Sequence, residues 1–175
     1  DALETMPAVE AGQVLHAALL FTSGKPRGGI IHSLGERRHR PAVPNLLRLT
    51  SDPDALTATA AVRALGLIGG KEVIGNLQQL LTTVAEPVRS AIVDALLNCA
   101  EQLLATGERV PAQGIYRQFG DAKEREYVRI AAYAGLIRAA GDGALVLVAS
   151  GLAGTDAAHQ VAALRLAVEI QDPHA

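Results

Sequence analysis

The side chains with chemistry to offer in this 175-residue sequence are five histidines, one cysteine and a few clustered charges. His16, His32, His39, His159 and His174 never fall at the spacing of a zinc ligand set, so no metal site is assigned. Cys99 sits in an apolar stripe, where packing rather than nucleophilic attack is the expected use. Asp52 and Asp54 are close in sequence, but both belong to a turn, where a carboxylate caps the following helix. A catalytic serine or carboxylate pair needs a base or second carboxylate within hydrogen-bonding reach. There is no Gly-x-Ser-x-Gly, no phosphate-binding glycine loop with its lysine and no Cys-x-x-Cys. No catalytic residue and no cofactor is assigned, and no enzymatic activity is expected.

The charges point instead to contact surfaces. Glu36-Arg37-Arg38-His39-Arg40 is the densest run. It suits an acidic partner or a phosphate group, and equally a solvated turn whose basic groups complement a helix C-terminus. Arg89 and Arg129 recur at corresponding helix starts, either as a ladder for acidic peptides or as partners of Asp and Glu between neighbouring repeats. With the helix-face residues His32 and Arg63, the candidate partner-binding set is His32, Arg37, Arg38, Arg40, Arg63, Arg89 and Arg129. The net charge of −2 removes the electrostatic case for nucleic acid, which favours a clear cationic excess. No apolar run reaches the roughly 18 residues that span a bilayer. The partner expected is a protein or a neighbouring domain of the same chain, with no small molecule indicated.

What positions these residues is a repeat. Ser33–Leu49 shifted by 31 positions lands on Ala64–Leu80: Leu34 meets Leu65, Gly35 meets Gly66, Asn45 meets Asn76 and Leu46 meets Leu77. A period of this length marks a stacked helical array. Ala and Leu together supply 56 residues and there is no Trp, which favours closely packed helices. The pattern predicts helices over about 8–21 (Val14, Leu15, Ala18 and Leu19 inward), 27–34, 41–49, 55–67 and 71–81. It continues over 87–105, 111–119, 125–140, 144–152 and 156–170. Residues 1–7 read as the tail of a preceding unit. Thr22–Pro26 forms a turn, Gly35 ends the second helix, and Asp54 and Asp156 cap later ones. After Leu96 the period stretches to 40, with Val128-Arg129 answering Val88-Arg89, and the extra residues read as two added turns of helix. The expected fold is all-α, an α-solenoid of about five antiparallel helix pairs, forming one repeat domain over 1–175. The first residue is Asp rather than Met, so the chain reads as a piece of a larger protein.

The paired-helix unit with a Val-Arg-x-x-Ala-x-x-Ala-Leu second helix resembles HEAT repeats, in their HEAT-like, lyase-type variant. Thr57–Gly66 and Val88–Leu97 carry the resemblance best, Val128–Ile137 and Val161–Val168 more loosely. It implies an interaction scaffold whose second helices line the contact face. It also implies an enzymatic alternative, since such arrays resemble bilin-lyase subunits and alkylpurine DNA glycosylases. Gly29–Gly35 and Cys99–Leu104 are similar to HEAT segments of large exported planctomycete and verrucomicrobial proteins, which would imply an exported location. Cys99–Tyr116 also resembles a tetratricopeptide unit, a likeness that an elongated HEAT pair can imitate.

Overall fold

The structure, a computed structural model, describes residues 8–121 and 123–171. The tail at 1–7 and His174 lie outside them. Among the described residues there are ten α-helices and no strand: α1 (Ala8–Leu19), α2 (Gly24–Glu36), α3 (Val43–Leu49), α4 (Ala55–Ile68), α5 (Lys71–Leu80), α6 (Val88–Ala105), α7 (Arg109–Gln118), α8 (Glu126–Ala139), α9 (Ala144–Ala153) and α10 (Ala157–Gln171). Short 3-10 turns at Arg40–Ala42 and Gly141–Gly143 lead into α3 and α9. Taken in order they make five pairs, the all-α, solenoid-type arrangement expected. Two compact units meet within α6, at Cys99–Ala100.

In the first unit α1 packs on α2, α3 on α4, and the second helices α2 and α4 on each other. Ile31, Leu34, Leu46, Val62, Leu65, Val73, Leu77, Ile92 and Leu96 are fully buried or nearly so. At roughly 25 cal/mol per Å² of apolar surface, each such side chain contributes about 1.5–3 kcal/mol. In the second unit α7 packs on α8, and α8, α9 and α10 pack together. Its core gathers Tyr133, Ala134, Ile137, Val148, Ala162, Ala163 and Leu166.

Gly35 does not end α2. It lies inside the helix and is buried; a Cβ there would come within 2.8 Å of Ala64 Cα. Gly66 repeats the arrangement in α4, where a Cβ would meet Ala95 Cβ at 2.7 Å and Ala95 Cα at 2.8 Å. The two glycines of the 31-residue echo are therefore contact points where one second helix touches the backbone of the next. The chain reverses after α2 through Arg38 instead, which takes φ +48°. Gly24 and Pro26 likewise belong to the first turn of α2 rather than to a separate turn, a place where the missing N–H of proline costs nothing. Val14, assigned inward, is 48% exposed; Ala11, Leu15 and Leu19 form the buried stripe of α1.

The long helix is present within one residue of its predicted bounds, 88–105 against 87–105. α6 has 18 residues against 14 in α4 and 14 in α8. The gain of four (18 − 14) over α4 and α8 is about one turn, not two. Asp54 caps α4, its carboxylate accepting from the backbone N–H groups of Leu56 and Thr57 at 3.2 Å each. Thr57 Oγ1 donates to the same carboxylate at 2.7 Å. These bonds, led by that of Thr57, hold the Asp54 carboxyl below its usual range.

Candidate functional site

The arginine device between repeats is partly visible in sequence. Arg129 Nη2 reaches Asp156 Oδ1 at 2.5 Å, and that oxygen also accepts the N–H groups of Ala158 and His159 at the start of α10. One carboxylate thus caps α10 and anchors α8. Burial pushes the Asp156 carboxyl up, but Arg129, the two amides and His159 together outweigh it and leave the group below its usual range. The first unit has its own version, which the sequence did not suggest. Arg27, near the start of α2, donates from Nε to Thr22 O at 2.6 Å and pairs with Asp52 at 3.4 Å. Asp52 in turn accepts the N–H of Asp54 at 2.9 Å. In both units an arginine at one second helix grips the turn that opens the next. Arg129 is committed to structure, and Arg89 is half-buried near the start of α6.

Asp156→Ala is expected to destabilise the chain by about 1–2 kcal/mol, combining a lost cap with a partly buried pair. Asp156→Asn, which keeps the cap and removes the charge, should fall between. Urea midpoints of the two variants check this: no loss in Asp156→Asn would show that the arginine pair contributes nothing, and a loss equal to that of Asp156→Ala that the cap contributes nothing.

The remaining candidates are not brought into one cluster. Arg37 caps the C-terminal end of α2, Arg38 takes the left-handed turn and Arg40 opens the 3-10 turn; all three are exposed. His39, between them, is turned inward instead. Its ring lies edge-on to His16, centroids 5.6 Å apart, and a Cβ on Gly12 would stand 2.5 Å from its Nδ1. Arg48 donates to Asn45 Oδ1, and the Asn45 amide nitrogen lies 2.7 Å from His16 Nε2. The charged turn is therefore docked on α1 through His39. His32 and Arg63 are exposed and stand one 31-residue period apart on α2 and α4; the next position in the row is Asp94 on α6, also exposed. The row carries mixed charge.

Cys99 is buried and its Sγ donates to Gly66 O at 3.7 Å. Burial pushes the thiol up to about 11, the opposite of what a nucleophile requires. Among the described residues no three His, Cys, Asp or Glu side chains are grouped to hold a metal ion. No helix among them is long and apolar enough to cross a membrane.

The groove with mixed chemistry lies in the second unit, on second helices. It encloses about 480 Å³ and is lined by Glu101 of α6, Tyr127, Ile130, Ala134 and Arg138 of α8, and Arg165 of α10, among others. Tyr127 is half-exposed at its rim. Glu101 and Arg138 form a 3.8 Å ion pair with both side chains largely solvated, a geometry worth about 0–1 kcal/mol. A ligand charge can replace either partner at little cost. In the same neighbourhood Tyr116 Oη is buried with the Glu101 carboxylate near but short of a full hydrogen bond. Burial foremost, then Glu101, raises the Tyr116 phenol above its usual range, and Arg138 opposes the shift.

Sequence reasoning passed over these residues because none belongs to a charge run. The available signal was the spacing Tyr127, Ala131, Ala134, Arg138 along one face of α8. No curated protein matches the chain. Residues 13–97, from within α1 to within α6, match the family of HEAT repeats.

Proposed function

We propose that the chain is a non-enzymatic scaffold for protein or domain contacts, and that the second-unit groove is where it takes a polypeptide segment. The carrying observation is the groove's lining. An exposed tyrosine and aliphatic walls stand beside a weakly coupled Glu101–Arg138 pair and an exposed Arg165. Peptide grooves on helical arrays combine apolar anchoring with adaptable charges in this way. The match to HEAT repeats supports an interaction role, since repeats of this kind present extended binding surfaces. A DNA-glycosylase-like activity, the enzymatic alternative, would use a positive groove with stacking aromatics. Tyr127 fits that need, but Glu101 in the groove and Asp94 in the helix-face row work against it. The likeness of Gly29–Gly35 and Cys99–Leu104 to segments of large exported bacterial proteins makes a neighbouring domain a natural partner.

A peptide-array screen with the wild type, Tyr127→Ala and Arg165→Glu tests the reading. Peptides selected by the wild type should bind each variant at least about tenfold more weakly, the usual scale of a lost anchor. Binding unchanged in both variants, or no peptide bound at all, overturns it.

A further inference from the structure

The groove of the second unit holds a carboxylate between two donors, one of which is left unsatisfied. Glu101 of α6 faces Arg138 of α8 at 3.8 Å, with side chains 49% and 44% exposed. Tyr116 of α7 brings its hydroxyl toward the same carboxylate, yet Oη is buried and makes no full hydrogen bond. A buried donor without an acceptor is destabilising, and native structures seldom keep one without a use. The hydroxyl is fixed in place. Tyr116 is 1% exposed, and its ring lies against α8 at Gly135, where a Cβ would overlap it. Glu101 is the solvated side chain of the two, so it is the one that can turn.

The charge of the lining selects the occupant. Among the described residues that line the groove, the charged ones are Arg138 of α8, Arg165 of α10 and Glu101, two cations against one anion. All three belong to the second unit. A basic segment would face both arginines and hold Glu101 away from Tyr116. An acidic segment does the reverse. Its carboxylate offers Arg138 a planar, two-oxygen partner, and the solvated ion pair that it displaces is weak. Glu101, once released, has the unsatisfied hydroxyl beside it.

We propose that the segment held in this groove is acidic, that one of its side-chain carboxylates takes Arg138 from Glu101, and that Glu101 then accepts a hydrogen bond from Tyr116 Oη. The inference rests on the reading of the groove as a peptide site. The complex gains a buried, charge-assisted hydrogen bond that the empty groove lacks. Tyr116 is a positioning residue for this specificity, since it acts on the peptide only through Glu101.

The probes are a peptide array synthesised in pairs, each glutamate-containing sequence beside its glutamine copy, with every C-terminus amidated so that side chains supply the only carboxylates. Fluorescence anisotropy of the selected pairs reads affinity. The wild type should bind the glutamate member about tenfold more tightly. Tyr116→Phe should remove most of that preference. It should weaken the glutamate member by about tenfold and leave the glutamine member as it was, because only the first sends Glu101 to the hydroxyl. In a Glu101→Ala background Tyr116→Phe should change neither. The hydroxyl makes no full bond in the empty groove, so Tyr116→Phe should not lower the urea midpoint, and a selective loss of binding is then not a loss of fold. Equal binding of the two members by the wild type overturns the inference, while the peptide site itself stands if Tyr127→Ala weakens both. A Tyr116→Phe protein that binds both members as the wild type does, or weakens both alike, also overturns it. No peptide bound at all sinks the peptide site and this inference together.

Discussion

Gly66→Ala should destabilise the chain by about 1–2 kcal/mol although alanine is the better helix former. Placed in a helix interior, alanine gains about 1 kcal/mol over glycine. Here its Cβ would stand 2.7 Å from Ala95 Cβ and 2.8 Å from Ala95 Cα. The second of these is backbone, so no rotamer change relieves it, and α4 and α6 must move apart. Overpacking of this sort costs about 1–3 kcal/mol, and the rigid neighbour places it at the upper end. Gly35→Ala meets Ala64 Cα at 2.8 Å and should act in the same direction. Gly75→Ala is the control. It lies in the interior of α5 with nothing within 4 Å of its Cβ position, and should stabilise by roughly 0.5–1 kcal/mol. Chemical denaturation of the three variants decides the matter. If Gly66→Ala and Gly75→Ala shift stability in the same direction, the contact at Ala95 is not limiting.

The second large effect is a loss of stability on mild acidification, carried by His39. Its Nε2 is buried without a hydrogen-bond partner, its ring meets His16, and Gly12 of α1 lies against it. Charged or titratable groups around it are His16 on α1, Arg48 on α3 behind Asn45, and Arg38 and Arg40 in its own turn. Burial foremost, and then His16, hold its pKa below the ordinary value. The folded state therefore binds this proton less readily than the unfolded state. The stabilisation is fully present above the unfolded value, about 6.5, and is lost as pH falls through 6.5 toward the folded value. Urea midpoints measured from neutral pH down to the carboxylate range should fall in this window, and His39→Gln should flatten the fall. An unchanged slope in that variant would assign the effect to another group.

The helix order was legible because each pair repeats its apolar spacing, and Asp54 and Asp156 were legible as caps because a cap is a local, short-range device. Gly35 was misread for a physical reason. A glycine that stops a helix and a glycine that admits a neighbouring backbone look identical in sequence, and only Ala64 on the facing helix distinguishes them. The echo held the clue, since Gly35 and Gly66 recur together with Ala64 and Ala95, and a stop signal needs no such partners. Arg27 with Asp52 was missed because the two are 25 residues apart and Arg27 was placed at a helix start rather than one turn inside it. The groove was missed for a related reason. Glu101, Arg138 and Arg165 come from three helices, and their grouping exists only once those helices pack. The run at 36–40 drew attention instead, yet its histidine points inward and its arginines remain dispersed over a turn.

Cys99 has a use that its burial creates. It is the only thiol in the chain, it sits behind Gly66 at the contact of α4 with α6, and burial keeps it protonated at neutral pH. A thiol reagent can reach it only when that contact opens. When reclosing outpaces labelling, the modification rate divided by that of a free thiol is the fraction of time the joint stands open. The protein thus carries a built-in clock for the breathing of one repeat against the next, readable without adding any probe.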